Sequence, residues 1–272
     1  MKLLHSQTNL VSFKMIKKLI ILLFVSFICQ VGKAQTYMLF KGDTINCTDK
    51  KGMKQGVWRK YYENDTTFYA GQFINNKPIG VFKYFYRTGQ LKAMNTYSNN
   101  GKNSFVKSFH LNGEVQSIGI YKDEKKDSVW KYYDEFKNLK AEETYYLGVK
   151  TGTWISYYDN GVKVEEFTWN ADRKSGPWKQ YFKNGNLKLE ATMMDSNLVG
   201  MVKMYHPNGN IWMEGIYKNG LRDSTWNIYK EDVSKELERK EIYKRGILTN
   251  PKAEENEDKG AIKEKDEEET DK

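Results

Sequence analysis

Cysteine is almost missing from this chain: 272 residues hold two, Cys29 and Cys47. A disulfide framework is therefore excluded, and a chain that loses Cys29 with a leader keeps a single thiol that cannot close an internal bridge. Cys47 then reads as a small apolar residue of the entry segment, with an intermolecular bridge as the alternative. Histidine is nearly as scarce, with three in all, of which His110 and His206 lie beyond the first 34 residues. The longest apolar run, Leu19 to Val31, spans thirteen residues, short of the roughly 20 that cross a bilayer. No G-x-S-x-G, H-E-x-x-H, P-loop or dinucleotide fingerprint occurs. No cofactor, metal or catalytic set is expected, and the chain reads as a non-enzyme.

A concentrated basic stripe is also lacking, although the net charge is +9. Residues 1–34 carry five of those positive charges, and the remainder has a net charge of about +4 with Lys and Glu interspersed. Nucleic acid is therefore not an expected partner. Met15-Ile16-Lys17-Lys18, the apolar run and Gly32-Lys33-Ala34 follow the order of a secretory signal, with Gln35 as the mature start and residues 1–14 as an upstream extension. Ile28 before Cys29 argues against lipidation. Residues 251–272 hold ten acidic and five basic residues and read as disordered.

What the chain has in abundance is repetition. Units of 24 residues open at Gly56, Gly80, Ser104, Ser128, Gly152, Gly176, Gly200 and Ser224. The sixth position is aromatic in all of them: Tyr61, Phe85, Phe109, Tyr133, Tyr157, Tyr181, Tyr205 and Tyr229. The third reads Trp58, Phe82, Val106, Trp130, Trp154, Trp178, Val202 and Trp226. Such a period means stacked supersecondary units, none able to bury its apolar face alone. Each unit has two segments rich in aromatic and branched residues around an Asn-Gly, as at Asn112-Gly113, Asn184-Gly185 and Asn208-Gly209, which is a hairpin signal. Thr88 and Phe136 in the Asn slot, and Pro207 before it, disfavour a two-residue loop with two positive φ values. A three-residue loop is expected instead, a type I turn followed by a left-handed glycine forming a bulge.

That loop sets Phe85 opposite Leu91, Tyr133 opposite Leu139, Tyr181 opposite Leu187 and Tyr205 opposite Ile211. Counting alternate residues onward puts the eighteenth position (Phe73, Tyr97, Tyr121, Tyr145, Trp169, Met193, Tyr217) on this Tyr face. The Trp column is expected on the other face, beside Glu142, Glu166, Glu190 and Glu214. Small residues at position sixteen (Gly71, Gly119, Ala191, Gly215) leave room for large neighbours.

The Y-x-N-G-x-x-x-G-x-W-x-x-Y grammar, clear in Tyr217-Lys218-Asn219-Gly220 and Gly152-Thr153-Trp154, resembles the MORN repeat in its bacterial variant. The resemblance covers residues 56–247, about seventy per cent of the chain. Asp65 and Lys137 depart from it at the turn glycine, and Val106 and Val202 at the Trp. It implies an all-β fold, an elongated single-layer twisted antiparallel sheet of repeated β-hairpins, usually serving in protein–protein or membrane association. Some bacterial members are described as antitoxins, and no catalytic residues come with the family. The domain reading is residues 1–34 as extension and signal, 35–55 as entry segment, 56–247 as eight repeats roughly 75 Å long at ordinary strand spacing, and 248–272 as acidic tail.

Three candidate sites follow. The two histidines share position seven with Tyr62, Tyr86, Tyr158 and Phe182, four hairpins and roughly 38 Å apart, so they read as aromatic-like members of a structural column. Glu142 and Glu166 would lie two strand spacings apart, near the separation of a glycosidase pair, but a solvated charge column explains them as well. The Lys column (Arg59, Lys83, Lys107, Lys131, Lys179, Lys203) shares the Tyr face, edging a ladder of rings with cations. Tyr133, Tyr157 and Tyr181, with Lys131 and Lys179, are the candidate binding residues, since rings give large contact area at low entropic cost. The expected function is an exported, non-enzymatic protein binding an unidentified protein or envelope component along this face, with peripheral membrane or glycan contact as variants. The alternatives are an antitoxin-like protein that neutralises a toxin, and thirdly a glycan-acting enzyme.

Overall fold

A computed structural model describes residues 34–40, 42–231 and 236–250. The signal reading on residues 1–33 and the tail reading on 251–272 lie outside them. Two compact units emerge, the first running to Gly161 and including Asn170–Asp172, the second comprising Val162–Trp169 and the described residues from Arg173. The first contains β1 (Thr36–Phe40), β2 (Asp43–Thr48), β3 (Lys54–Tyr61), β4 (Thr67–Ile74), β5 (Lys77–Phe85), β6 (Leu91–Ser98), β7 (Asn103–Phe109), β8 (Val115–Lys122), β9 (Lys125–Tyr133), β10 (Leu139–Tyr146), β11 (Val149–Lys150) and β12 (Gly152–Tyr157). The second contains β13 (Lys163–Asn170, its last residue in the first unit), β14 (Arg173–Tyr181), β15 (Leu187–Met194), β16 (Asn197–Tyr205), β17 (Ile211–Lys218), β18 (Leu221–Tyr229), β19 (Leu237–Lys244) and β20 (Ile247–Leu248). Each unit is an open antiparallel sheet of hairpins in chain order. The fold class is all-β. The entry segment already forms strands, and pairing continues past residue 247 to Leu248, with Asn250 donating back to the Lys240 carbonyl.

The hairpin loops are three residues long, as the turn chemistry requires. The Gly89 amide donates to the Tyr86 carbonyl and the Tyr86 amide to that of Gln90, both at 2.9 Å. Gly89, Gly113, Gly161, Gly185 and Gly209 have φ between 80° and 92°. Asp65 and Lys137 adopt 60° and 73° in the same slot. Asn64, Asn112, Asn184 and Asn208 do two jobs there. Each side-chain oxygen accepts the amide two residues on, and each side-chain amide donates to a carbonyl of the next loop, 23 residues ahead.

The second turn of each unit differs. Asn75-Asn76, Asp123-Glu124, Ala171-Asp172, Asp195-Ser196 and Asn219-Gly220 all have positive φ at both residues, the two-residue type I′ loop that suits strand twist. The Asn-Gly signal in Tyr217-Lys218-Asn219-Gly220 thus belongs to this turn. Most of these turns are followed by a bulge near the first position of the next unit, where Gly80, Ser128, Gly200 and Ser224 again have positive φ. The unit at Ser104 is the exception. Its turn carries a third left-handed residue, Gly101, and β6 pairs with β7 without a register shift. A longer turn and a bulge absorb the same extra residue, so the period of 24 survives.

All four expected pairings are present: Phe85 with Leu91, Tyr133 with Leu139, Tyr181 with Leu187 and Tyr205 with Ile211. The face assignment beyond them is corrected. After Tyr205 faces Ile211, Met204 faces Met213, so Trp212 is an unpaired extra residue. This bulge inverts the alternation. Position eighteen consequently lies with the Trp column, as Phe82 shows by packing edge-on against Phe73 and Tyr97 at 5.1 and 5.2 Å. The Glu column moves to the Tyr face, where Glu142 pairs with Lys131 and Glu214 with Lys203.

The core lies on the Trp face. Phe82, Trp130, Val202 and Trp226 are nearly or wholly buried. Position sixteen explains why: a Cβ on Gly71, Gly119 or Gly215 would collide with the ring of Phe82, Trp130 or Trp226 respectively. Where Glu143 and Phe167 occupy that position, the following Trp154 and Trp178 are only half-buried. In the second unit Leu189, Ala191, Val202, Met213, Trp226 and Ile228 form one buried cluster.

Two stability measurements test this account. Gly185→Val should melt lower by the equivalent of about 1 kcal/mol or more, because a branched side chain resists positive φ. Gly185→Asp, copying Asp65, should lose less. Gly215→Ala should cost on the order of 1 to 3 kcal/mol by overpacking Trp226. Combined with Trp226→Val, which copies the Ala191 and Val202 pairing, it should lose less than the two single changes added together.

Candidate functional site

The Tyr face gathers four of the columns read from the sequence. Strand pairing lines up Arg59, Ala70, Lys83, Met94, Lys107, Ile118, Lys131 and Glu142 as one row across the first unit. In the second unit the equivalent row is Lys179, Glu190, Lys203, Glu214 and Asn227. Cations alternate with apolar residues in one and mainly with carboxylates in the other.

The tyrosines read this difference. Position six of each hairpin stands over the residue fifteen places earlier. Where that residue is Glu, the aromatic is tyrosine and its hydroxyl donates to the carboxylate: Tyr157 to Glu142 at 3.4 Å, Tyr181 to Glu166 at 2.6 Å, Tyr205 to Glu190 at 3.4 Å and Tyr229 to Glu214 at 2.8 Å. Where it is Ala70 or Met94, the aromatic is Phe85 or Phe109. Tyr133 breaks the rule. Ile118 occupies its carboxylate position, and the Tyr133 hydroxyl has no hydrogen-bond partner among the described residues.

The candidate residues thus divide. Lys131 holds Glu142 at 2.7 Å, and Lys179 reaches Glu190 at 3.7 Å. The Glu142 hydrogen bond and charge raise the Lys131 ammonium above its ordinary value. Burial, then the Glu166 bond, pushes Tyr181 up to about 12. Glu166 is desolvated too, but hydrogen bonds from Lys163 and Tyr181 outweigh that and hold its carboxyl below the usual range. Tyr157, Tyr181, Lys131 and Lys179 are therefore joined to carboxylates of their own sheet, and Tyr133 alone of the five, near the Lys131 charge, has no carboxylate partner among the described residues.

Sequence reasoning missed the stretch that has no carboxylates. Val57, Val81, Phe105, Ile120 and Val129 line the same face of the first unit and are 38–47% exposed, flanking Lys83 and Lys107. Neither lysine has an ion pair among the described residues, and Lys107 lies 5.6 Å from the Phe109 ring centre. The signal was available in the first three repeats, where Ala70, Met94 and Ile118 stand in the Glu column.

The histidines occupy their structural column. The His110 ring meets the Tyr133 carbonyl through Nε2 at 2.9 Å, as Tyr62 and Tyr86 donate to the carbonyls of Phe85 and Phe109. Among the described residues no three His, Cys, Asp or Glu side chains gather as a metal ion would require. No described helix is long and apolar enough to cross a membrane.

The model of the MORN repeat variant matches residues 78–99, 150–171, 174–195 and 198–219. No curated protein matches the chain. Among solved structures, TarM is similar over 33% of this chain and 18% of its own, with 15% identity and a TM-score of 0.26. An S. aureus TarM mutant in complex with Fondaparinux, alpha-GlcNAc-glycerol and UDP is similar over 44% of this chain and 19% of its own, at 13% identity and a TM-score of 0.21. TcdB2-TccC3 without its hypervariable C-terminal region covers 79% of this chain at 10% identity, with 13% of its own length and a TM-score of 0.19. The chain spans less than a fifth of each of these structures, and TM-scores so low bear on neither fold nor function. The unmatched repeats carry the same residue columns as the matched ones, and the chain is a MORN-repeat protein of the variant type.

Proposed function

We propose that the protein is a non-enzymatic binding scaffold whose Tyr face, in the first unit, docks an extended protein segment bearing regularly spaced acidic side chains. The observation that carries this reading is the row from Ala70 to Ile118, where Lys83 and Lys107 alternate with apolar residues and not with carboxylates. Exposed Val81, Phe105 and Ile120 supply apolar contact beside them. An exposed apolar strip of this kind marks an interaction surface, and unpaired cations favour an anionic partner.

Spacing refines the partner. Cations on every second strand recur at about 9.6 Å. A polyproline II chain advances about 3.1 Å per residue, so an acidic residue at every third position keeps step with them. Tyr133 stands at the end of this row, its hydroxyl available to a partner's carboxylate or carbonyl. The leader-like segment from Met15 to Ala34 supports a place of action outside the cytoplasm.

A short peptide of repeated Glu-Pro-Leu should bind the full chain, and repeated Lys-Pro-Leu should not. Binding should weaken with salt and fall at least tenfold when Lys83→Glu and Lys107→Glu are combined. Equal binding of the two peptides, or indifference to the double change, would overturn the reading.

Tyr181→Phe separates binding from architecture. It should leave peptide binding unchanged while costing stability on the order of 1.5 to 3 kcal/mol, the worth of a hydrogen bond to a charged group. Because Tyr181 titrates higher folded than unfolded, its contribution is complete below about pH 10 and fades as pH rises toward 12. Melting profiles across that interval should converge for Tyr181→Phe and the parent chain.

A further inference from the structure

A cavity of about 450 Å³ opens on the Trp face of the first unit, with Asn95, Tyr97, Lys102, Ser104, Tyr121 and Glu124 among its lining residues. It lies at the repeat opened by Ser104, where a longer turn replaces the bulge. That difference makes the space. Where the bulge is present, position eighteen faces a residue two places before the next opening: Phe73 faces Pro78, Tyr121 faces Lys126, Met193 faces Leu198 and Tyr217 faces Arg222. The cations among these cover rings. Lys126 sits 4.8 and 5.0 Å from the ring centres of Trp130 and Tyr145, and Arg222 lies 4.4 and 5.3 Å from those of Trp226 and Tyr243. Without the bulge, Tyr97 faces Ser104 itself, and Ser104 in turn faces Tyr121. Two tyrosines therefore stand two strand spacings apart, about 9.6 Å, with only a serine between them. Val106, where most repeats have Trp or Phe, adds no ring.

We infer that this cavity is a binding site for one pyranose ring of a glycan, in a configuration whose hydroxyls are equatorial, as in β-glucosides. Width sets the shape. A ring midway between the tyrosines would lie about 4.8 Å from each. That step continues the ladder on either side, where Phe82 stands 5.2 Å from Tyr97 and Tyr121 stands 4.9 Å from Trp130. The polar groups set the class. Ser104 is only 5% exposed, yet its hydroxyl keeps accessible surface and has no hydrogen-bond partner among the described residues. The Asn95 amide nitrogen is in the same condition, while the oxygen of that amide is sealed off. The occupant must therefore offer apolar faces to two tyrosines and hydrogen bonds along its edge. An all-equatorial pyranose does so, with C–H groups on both faces and hydroxyls around the rim. A hydrocarbon ring would leave the serine and the asparagine buried and unpaired, which is costly. Lys102 and Glu124 are exposed, opposite in charge and without an ion pair among the described residues. A neutral ligand suits that pair better than an anion or a cation.

Two sugars isolate the claim on the full chain: methyl β-D-glucopyranoside and methyl β-D-galactopyranoside, titrated while the Asn95 side-chain amide and the tyrosine ring resonances are followed by NMR. The glucoside should give saturable shifts at both. The galactoside should bind several-fold more weakly, because its axial hydroxyl meets a ring face. Ser104→Ala combined with Asn95→Ala keeps the slot, and Ala191 shows that the Asn95 column accepts alanine. This double variant should lower glucoside affinity about tenfold, the equivalent of one good hydrogen bond. Tyr121→Met copies Met193 of its own column and should remove the preference between the two sugars; a dispersed spectrum for each variant confirms folding. No saturable shift with the glucoside, equal affinity for the two sugars in the parent chain, or unchanged affinity in the double variant would each overturn the assignment. Displacement of the glucoside by p-cresol at lower concentration would overturn it too, giving the slot to an aromatic side chain. None of these outcomes depends on Lys83 or Lys107, so the acidic-peptide reading stands or falls separately.

Discussion

One extra residue beside each hairpin loop decides what every other residue of the unit can do. Strand alternation is strictly two-fold, so a single bulge moves all later side chains to the opposite face. Trp212 is that residue between β16 and β17, and Lys92 is its counterpart between β5 and β6. Without it, Glu214 would lie among the rings of the core and Tyr217 among the lysines. With it, carboxylates meet lysines and tyrosine hydroxyls, and aromatic rings meet one another. A second bulge near the first position of most units restores the register for the next hairpin.

Within each unit the described strands form a single sheet layer, and its stability is found between neighbouring hairpins. Three devices repeat at fixed sequence separations. Loop asparagines donate 23 residues ahead, most of the two-residue turns bond to a carbonyl 22 residues behind, and tyrosines reach carboxylates 15 residues behind. Indole groups add a fourth. The Trp130 N–H donates to the carbonyl of Ile120, which lies beside a bulge, and the Trp154 N–H to that of Thr144. A bulge interrupts the ladder, and the indole satisfies what the interruption leaves. The same residue then covers the preceding strand, most completely where that strand carries glycine, as under Trp130 and Trp226.

Much of this was legible from residue types. The positive φ at Gly185, tolerated at Asp65 and Lys137, follows from turn chemistry, and the facing of Tyr181 with Leu187 follows from the loop length. The faces of Glu190 and Tyr217 did not follow, because a bulge leaves no mark in a count of alternate residues. The left-handed pairs at Ala171-Asp172 and Asp195-Ser196 were equally hidden, since neither contains glycine and only the turn geometry requires them. The candidate site was legible as columns and illegible as partners. Lys131 and Lys179 looked alike to Lys83 and Lys107 until pairing placed Glu142 and Glu190 beside the first two and Met94 beside the second two.

Departures from the column pattern therefore carry more functional information than the pattern does. In a regular hairpin each polar group is satisfied by the next unit, which makes a rigid array with little left to offer a ligand. Ile118 in place of a carboxylate removes that partner from Tyr133 and from Lys107, and the energetic reason is simple, since a methyl group accepts no hydrogen bond and balances no charge. On the opposite face His206 lacks the carbonyl bond that Tyr62, Tyr86 and His110 make from the same column position. Both departures sit within otherwise regular hairpins, so the groups they release are held in place by intact neighbours on either side. Rigidity around an unsatisfied group is what lets a binding site avoid the cost of ordering it on contact, and a repeat array supplies that rigidity wherever a single column position changes.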